Sequence, residues 1–157
     1  GDFPVQAVEV MTRVAIHTEN DFLHKQLLNH GRPVGVIMPV DESVVVSAVK
    51  TADRVGAKYI VSMTDSGHSA RMVSRHKPTQ QILAFTPNQS AFNKLILSFG
   101  IYPVLMERAK ELNPVLQTVR DFCLKNKLVK KGDMVVMTAS IPFGKLVGTN
   151  MLLVEKM

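Results

Sequence analysis

The sequence is poor in the features that mark secreted or membrane-bound proteins. It has one cysteine and no tryptophan, which excludes a disulfide within the chain. No apolar run approaches the roughly 18 to 20 residues that a membrane-spanning helix needs. The first residues, "GDFPVQAVEV", lack the basic and apolar regions of a signal peptide. We therefore expect a soluble, cytoplasmic protein.

Motifs for nucleotide, metal or nucleophilic chemistry are also missing. No P-loop and no GxGxxG follows a strand-like segment. The five histidines include no HxxxH pair of the kind that binds zinc, and no nucleophile lies beside an obvious base. Cys123 falls within the helical pattern "NPVLQTVRDFCLKN", which predicts a buried, inert thiol. We therefore predict no catalytic residue, metal site or cofactor in this chain.

The charge of the chain is positive but only partly concentrated. Nineteen Lys and Arg against thirteen Asp and Glu give a net charge of +6. The densest basic run, "KNKLVKKGD", contains no aromatic residue on which a nucleobase could stack. Cations also suit the negative end of a helix dipole, which accounts for this run without a ligand. A self-standing module that binds nucleotide or nucleic acid stays open as an alternative.

The 157 residues suit a single domain, with one long helix predicted at the start of the chain. "GDFPVQAVEVMTRVAIHTENDFLHKQLLN" has a proline in its first turn and no breaker before Gly31. Its apolar residues cover more than the single stripe of a surface helix. We expect this surface to need a partner; the apolar residues are Val5, Val8, Val10, Met11, Val14, Ala15 and Ile16.

Helical and strand-like patterns alternate from residue 41 onwards. "DESVVVSAVKTADRVGAK" has Val45, Ala48, Val49 and Ala52 at helical spacing. "KYIVSM", "QILAFT", "IYPVLM" and "DMVVMTA" follow as apolar strands separated by helices, which predicts a parallel βαβ array. The last strand, "NMLLVEK", follows a connection of Gly and Pro that is short for a helical crossover. We therefore predict that it runs antiparallel to the fourth.

One loop combines polar residues in a way that suits an anion. In "VSMTDSGHSARMVSRHKP", Ser66 is a predicted N-cap, and a helix that starts at Gly67 would direct backbone N–H groups at a ligand. Thr64 and Ser69 add hydroxyl donors. If the first and fourth strands are neighbours, the loop "SIPFGKLVGT" lies beside this turn, and its Lys145 would meet a second phosphate. The turn could equally be no more than a capped helix start.

Several segments, in order along the whole chain, resemble pyruvate kinases. The first helix resembles the one that closes the catalytic barrel in that family. A second segment, "TDSGHSARMVSRHKPTQQILAFTPN", resembles a block of the same family, and "GIYPVL" and "KKGDMVVMTASIPFGKLVGTN" resemble two further blocks. The matching residues in the first helix are Gly1, Pro4, Ala7, Val8 and Met11. The matching residues in "TDSGHSARMVSRHKPTQQILAFTPN" are Thr64, Ser66, Gly67, Ala70, Ser74, Pro78, Ala84 and Thr86.

The resemblance implies a fold and a division of the chain. The fold is a three-layer α/β/α domain with a mixed five-stranded sheet of order 3-2-1-4-5, last strand antiparallel, after a long N-terminal helix. Residues 1–30 would belong to the catalytic barrel or link from it, and residues 31–157 would form the regulatory C-terminal domain. The catalytic residues of the family lie upstream of the "GDFP" helix, so this chain by itself would not be catalytic.

The resemblance also implies ligands and partners. A phosphorylated effector, either a sugar phosphate or AMP, would bind Thr64, Ser66, Gly67, His68, Ser69, Lys145 and Gly148. The partners would be the catalytic domain and further copies in a homotetramer, and the parent enzyme would use magnesium and potassium. Relatives that respond to fructose 1,6-bisphosphate can carry lysine at the position of Asp65, and most members carry arginine at that of His68. Both differences count against a bisphosphate here.

Overall fold

The computed structural model describes residues 1–21, 37–108, 110–143 and 147–157. The chain divides into two units, Gly1–Gly31 and Arg32–Met157, which are described separately. In the first unit, helix α1 spans Pro4–Asp21. Its predicted continuation beyond residue 21 lies outside the described residues. No helix among the described residues has the length and apolarity needed to cross a membrane.

The second unit alternates helices and strands as the periodicity predicts. The helices are α2 (Val40–Arg54), α3 (His68–Arg75), α4 (Gln89–Leu95) and α5 (Leu112–Lys125). The strands are β1 (Tyr59–Met63), β2 (Gln81–Thr86), β3 (Ile101–Leu105), β4 (Met134–Ala139) and β5 (Met151–Lys156).

The five strands form one mixed sheet of order β3-β2-β1-β4-β5. The first four strands are mutually parallel, and Ser62 of β1 lies between Ala84 of β2 and Thr138 of β4. Strand β5 runs antiparallel to β4, with Met137 opposite Leu153. The antiparallel last strand and the strand order are therefore both confirmed.

Helices cover both faces of the sheet, so that nearly every residue of β1, β2 and β4 is buried. One face packs against α5, where the rings of Phe85 and Phe122 meet edge to face at 5.3 Å. The opposite face packs against α2, α3 and α4. The residues of α2 predicted to face the core are all buried, and they are Val45, Ala48, Val49 and Ala52. The core beneath α5 includes Val61, Leu83, Phe85, Val115, Val119, Cys123, Val135 and Met137.

Cys123 is fully buried in this core, as predicted. Burial raises the pKa of its thiol from 9.0 to about 11, because the thiolate would lose its hydration. The thiol therefore ionises more readily in the unfolded chain than in the folded one. As the pH rises from 9 to about 11, this difference lowers the free energy of unfolding. Over that interval we expect the free energy of unfolding of the wild type to fall by about 2 to 3 kcal/mol more than that of Cys123→Ala. Urea unfolding at several pH values measures it; parallel pH profiles for the two proteins would contradict it.

Candidate functional site

A crevice of about 280 Å³ opens at the carboxyl ends of the parallel strands. In the order β3-β2-β1-β4-β5, the chain moves outward in opposite directions from β1 and β4. The crevice therefore lies at the switch point where open α/β sheets bind ligands. Its lining includes residues after β1, β2, β3 and β4: Thr64, Asp65, Ser66, His68, Ser69, Pro87, Glu107, Arg108, Ser140 and Gly148.

The turn after β1 is held by Thr64. Its backbone N–H continues the sheet by donating to the carbonyl of Phe85 at 3.0 Å, and its hydroxyl accepts from the N–H of Gly67 at 3.0 Å. Gly67 has a φ of +80°, a left-handed conformation that glycine adopts without steric cost. Thr64 and Gly67 therefore shape the turn, and the N–H of Gly67 is already occupied.

The predicted N-cap needs a correction of one residue. Helix α3 begins at His68, and its N-cap is Gly67, with no side-chain capping bond. The left-handed Gly67 separates Ser66 from the first turn, so the Ser66 hydroxyl accepts only a long 3.4 Å bond from the His68 N–H. Ser66 is exposed and lines the crevice. Its hydroxyl is consequently better placed to meet a ligand than a true capping hydroxyl would be.

Ser69 joins the turn to the segment before β5. It is buried, and its hydroxyl lies 2.5 Å from the hydroxyl of Thr149, which is also buried. Each hydroxyl has one donor and two acceptor positions. One of the two can thus donate to the other while the second proton stays available for a ligand.

Asp65 forms an ion pair that the sequence patterns did not indicate. Its carboxylate accepts a 2.8 Å hydrogen bond from Nη1 of Arg108, which follows β3. Both side chains are exposed and line the crevice. The predicted sheet could have indicated this pairing, because the carboxyl ends of parallel strands share one edge and the loop after β3 carries this arginine. The charge of Asp65, which counted against phosphate, is compensated here.

His68 lies near a carboxylate of a different helix. Its Nε2 is 3.7 Å from Oδ2 of Asp41, in the first turn of α2. A carboxylate in that first turn suits the positive end of the helix dipole, and Oδ1 of Asp41 accepts from the N–H of Glu42 at 2.9 Å. Asp41 therefore connects α2 with the start of α3 as well.

Hydrogen bonds of the Asn150 side chain join the two ends of the connection between β4 and β5. This side chain accepts from the N–H of Ile141 at 2.8 Å and donates to the carbonyl of Ile141 at 2.6 Å. Gly148 lines the crevice. The predicted Lys145 lies outside the described residues. Among residues that are described, no group of three or more His, Cys, Asp or Glu side chains is placed to hold a metal ion.

These features define a mixed α/β domain with a small crevice, lined by both polar and apolar side chains, at its switch point. The family model described as "Pyruvate kinase, alpha/beta domain" matches residues 42–155. The chain belongs to this family, as its C-terminal α/β domain. The resemblance seen in the sequence is thereby confirmed.

Relatives of the chain include bacterial and archaeal pyruvate kinases. It is 32% identical to that of Staphylococcus saprophyticus over 152 residues, which cover 97% of this chain and 26% of the relative. Identity to the pyruvate kinase of Thermococcus litoralis is 32% over 156 residues, covering 96% of this chain and 31% of the relative. The chain thus spans about a quarter to a third of the curated relatives it matches.

Solved structures agree on the fold. A pyruvate kinase from Cryptosporidium parvum matches 98% of this chain with a TM-score of 0.79 and 23% identity. The match covers 30% of that protein.

Proposed function

We propose that this chain is the regulatory and subunit-contact domain of a pyruvate kinase, the enzyme that transfers a phosphoryl group from phosphoenolpyruvate to ADP. The family match over residues 42–155 is the observation that carries the proposal. The catalytic residues, with the magnesium and potassium that the reaction uses, would lie in the rest of the protein. The homotetramer would be built partly through this domain.

The first helix supports an association with the catalytic domain. Several large apolar side chains in and just before α1 are more than half exposed. They are Phe3, which precedes the helix, and Val5, Val8, Met11, Val14 and Ile16 within it. Apolar exposure on this scale indicates a surface that another part of the protein covers. We infer that residues 1–30 belong to the barrel of the parent enzyme or link from it, and that residues 31–157 form the regulatory domain.

The crevice is the proposed binding site of a phosphorylated effector. The N–H groups in the first turn of α3 have no acceptors within the helix, and the helix dipole favours an anion there. Ser66 and Ser69 supply hydroxyls, and Gly148 also lines the crevice. Arg71 is not among the lining residues, but its Nη1 donates to the carbonyl of Ser66 at 3.3 Å, which brings a positive charge to the turn. Together these groups suit one phosphate.

Calorimetric titration of the chain with phosphorylated compounds tests this role. The compounds are fructose 1,6-bisphosphate, ribose 5-phosphate, glucose 6-phosphate and AMP. We expect at least one of them to bind, and Ser66→Ala to weaken that binding about tenfold or more, because a hydrogen bond to a charged group is lost. Lys145→Ala should weaken it too, through the loss of a cation.

Two control variants remove the same chemical groups elsewhere. Ser43→Ala deletes an exposed hydroxyl on α2, and Lys156→Ala deletes an exposed ammonium group at the end of β5; neither residue lines the crevice. Both should bind like the wild type. Equal affinities for the wild type, Ser66→Ala and Lys145→Ala would remove the proposed site.

A further inference from the structure

A basic surface lies at the end of the sheet opposite to the crevice, where β1 and β4 begin and β5 ends. The N–H of Lys58, just before β1, donates to the carbonyl of Met134 at 2.8 Å. Lys156, at the end of β5, lies opposite Met134 in the antiparallel pair. Lys58 and Lys156 therefore flank the start of β4 on its two sides, about 10 Å apart for strands spaced by about 4.8 Å.

The turn before β4 adds more lysines to this surface. In that turn the N–H of Asp133 donates to the carbonyl of Lys130 at 3.0 Å, and the carboxylate of Asp133 accepts from the N–H of Lys130 at 2.8 Å. The N–H of Gly132 donates to the carbonyl of Met157 at 2.7 Å, which joins the turn to the residue after β5. Helix α5 ends just before this turn. The six exposed lysines of these segments form a lysine patch, which consists of Lys58, Lys125, Lys127, Lys130, Lys131 and Lys156.

The lysine patch holds most of the net charge of the chain. Its six lysines and the carboxylate of Asp133 together carry +5, while the whole chain carries +6. Two other carboxylates nearby have cationic neighbours of their own. Glu155 of β5 is ion-paired with Arg120 of α5, and Asp53 is followed by Arg54 at the end of α2. None of the six ammonium groups is ion-paired with a carboxylate among the described residues.

The dipole of α5 accounts for only part of the lysine patch. Lys125 is the last residue of α5 and Lys127 follows two positions later, where cations are favourable. The other four lysines lie beside strand ends, and β-sheets have only small net dipoles. Like charges at such distances repel one another, which lowers the stability of the folded chain. The helix dipole, which suits the basic run in the sequence, therefore does not explain the patch that the fold assembles.

We propose that the lysine patch binds the phosphate backbone of a duplex nucleic acid without reading its sequence. Lysine ammonium groups bind phosphates as point charges, and a DNA duplex carries one negative charge per about 1.7 Å of its axis. Several phosphates can thus face the patch at once. Lysine is depleted at protein–protein interfaces, so the composition of the patch favours a nucleic acid over a protein.

The surroundings of the lysine patch favour a duplex over a single strand. Proteins hold single strands largely by stacking bases on aromatic side chains. The aromatic residues next to the patch, Tyr59 and Phe122, are partly buried and pack against the core beneath α5. Contacts to a duplex backbone need no such rings. Because the patch and the crevice lie at opposite ends of the sheet, this binding does not depend on the proposed effector role.

Fluorescence anisotropy of a labelled DNA duplex, titrated with the chain at several salt concentrations, tests the proposal. The logarithm of the binding constant should fall linearly with the logarithm of the salt concentration, with a slope of about −0.9 for each phosphate contacted. About four to six contacts predict a slope of roughly −4 to −5, and a duplex of different sequence should bind equally well. A slope near zero, or no binding at low salt, would overturn the proposal.

Two double variants with the same loss of net charge locate the binding surface. Lys130→Gln with Lys131→Gln should make the slope shallower by about 2 and weaken binding about tenfold or more. The matched control is Lys94→Gln with Lys110→Gln: both lysines are exposed, the first on α4 beside β2 and β3, the second between β3 and α5. The control should bind almost like the wild type, and Tm verifies that each variant folds. Equal weakening by both pairs would overturn the role of the patch.

Three further probes test the class of partner. A single strand of the same sequence, vesicles that contain phosphatidylserine, and polyglutamate each present negative charge without a duplex backbone. At equal concentrations of charge, all three should bind the chain more weakly than the duplex does. Binding to any of them that equals or exceeds binding to the duplex would overturn the assignment of a duplex nucleic acid.

Discussion

Replacing Phe85 by alanine should lower the free energy of unfolding of this chain by about 3 to 5 kcal/mol, the range found for buried aromatic residues. Phe85 is 1% exposed and packs edge to face on Phe122 of α5, with an interplanar angle of 82°. The substitution would leave a cavity between β2 and α5 and remove the ring contact. Urea unfolding followed by circular dichroism measures the change. Because Phe85 also forms part of the crevice floor, ligand affinity should fall as well.

Phe85→Leu is the matched control for the aromatic ring. Leucine keeps most of the buried volume and loses the edge-to-face contact, so its cost should be clearly smaller than that of alanine. Losses of the same size for both variants would mean that the volume of this side chain does not determine the stability of the core. A loss below about 1 kcal/mol for alanine would contradict the close packing of Phe85 between β2 and α5.

Gly67→Ala should destabilise the chain and disable the crevice together. A side chain in the left-handed region costs about 1 to 2 kcal/mol, and Gly67 has a φ of +80°. The added Cβ would also lie 2.8 Å from Nη1 of Arg71 and 3.1 Å from Cδ2 of Leu95. Arg71 can move, but its movement breaks the bond to the Ser66 carbonyl and withdraws its charge from the turn. Unfolding and calorimetric titration measure the two effects.

Gly56→Ala separates backbone strain from crowding. Gly56 has a φ of +62°, and an added Cβ would meet nothing within 4 Å. This variant should therefore incur the conformational cost alone and bind phosphorylated compounds like the wild type. Equal ligand affinity in Gly67→Ala and Gly56→Ala would show that the turn does not contribute to binding.

Periodicity accounts for most of the fold that could be predicted. The spacing of Val45, Ala48, Val49 and Ala52 indicates the buried stripe of α2, because a helix in contact with one sheet face repeats its apolar residues every three to four positions. The short connection before Met151 predicts an antiparallel β5, because a parallel crossover needs about a dozen residues or more. The strand order was inferred by resemblance alone, since parallel strands with equal apolar patterns can be arranged in several orders.

The sequence predicted the residue types of the candidate site but not the contacts between its residues. Residue types suited to an anion identified the turn from Thr64 to Ser69, and the sheet topology brings it to the crevice. The start of α3 was placed one residue early, because local sequence does not reveal that Gly67 is left-handed. Arg108 was missed because it is 43 residues from Asp65 along the chain. The roles of residues 1–30, of Lys145 and of the effector stay predictions.

Local sequence patterns are sufficient to predict which segments form helices and strands, which of their faces are buried and which turn carries several hydroxyl groups beside a helix start. These properties depend on residues within a few positions of one another, so a short window of sequence contains them. The pairing of Arg108 with Asp65, of Ser69 with Thr149 and of His68 with Asp41 became visible only in the folded chain. The first two contacts arise because the parallel strands of the sheet bring the loops after them to one edge, and the third joins the first turns of α2 and α3.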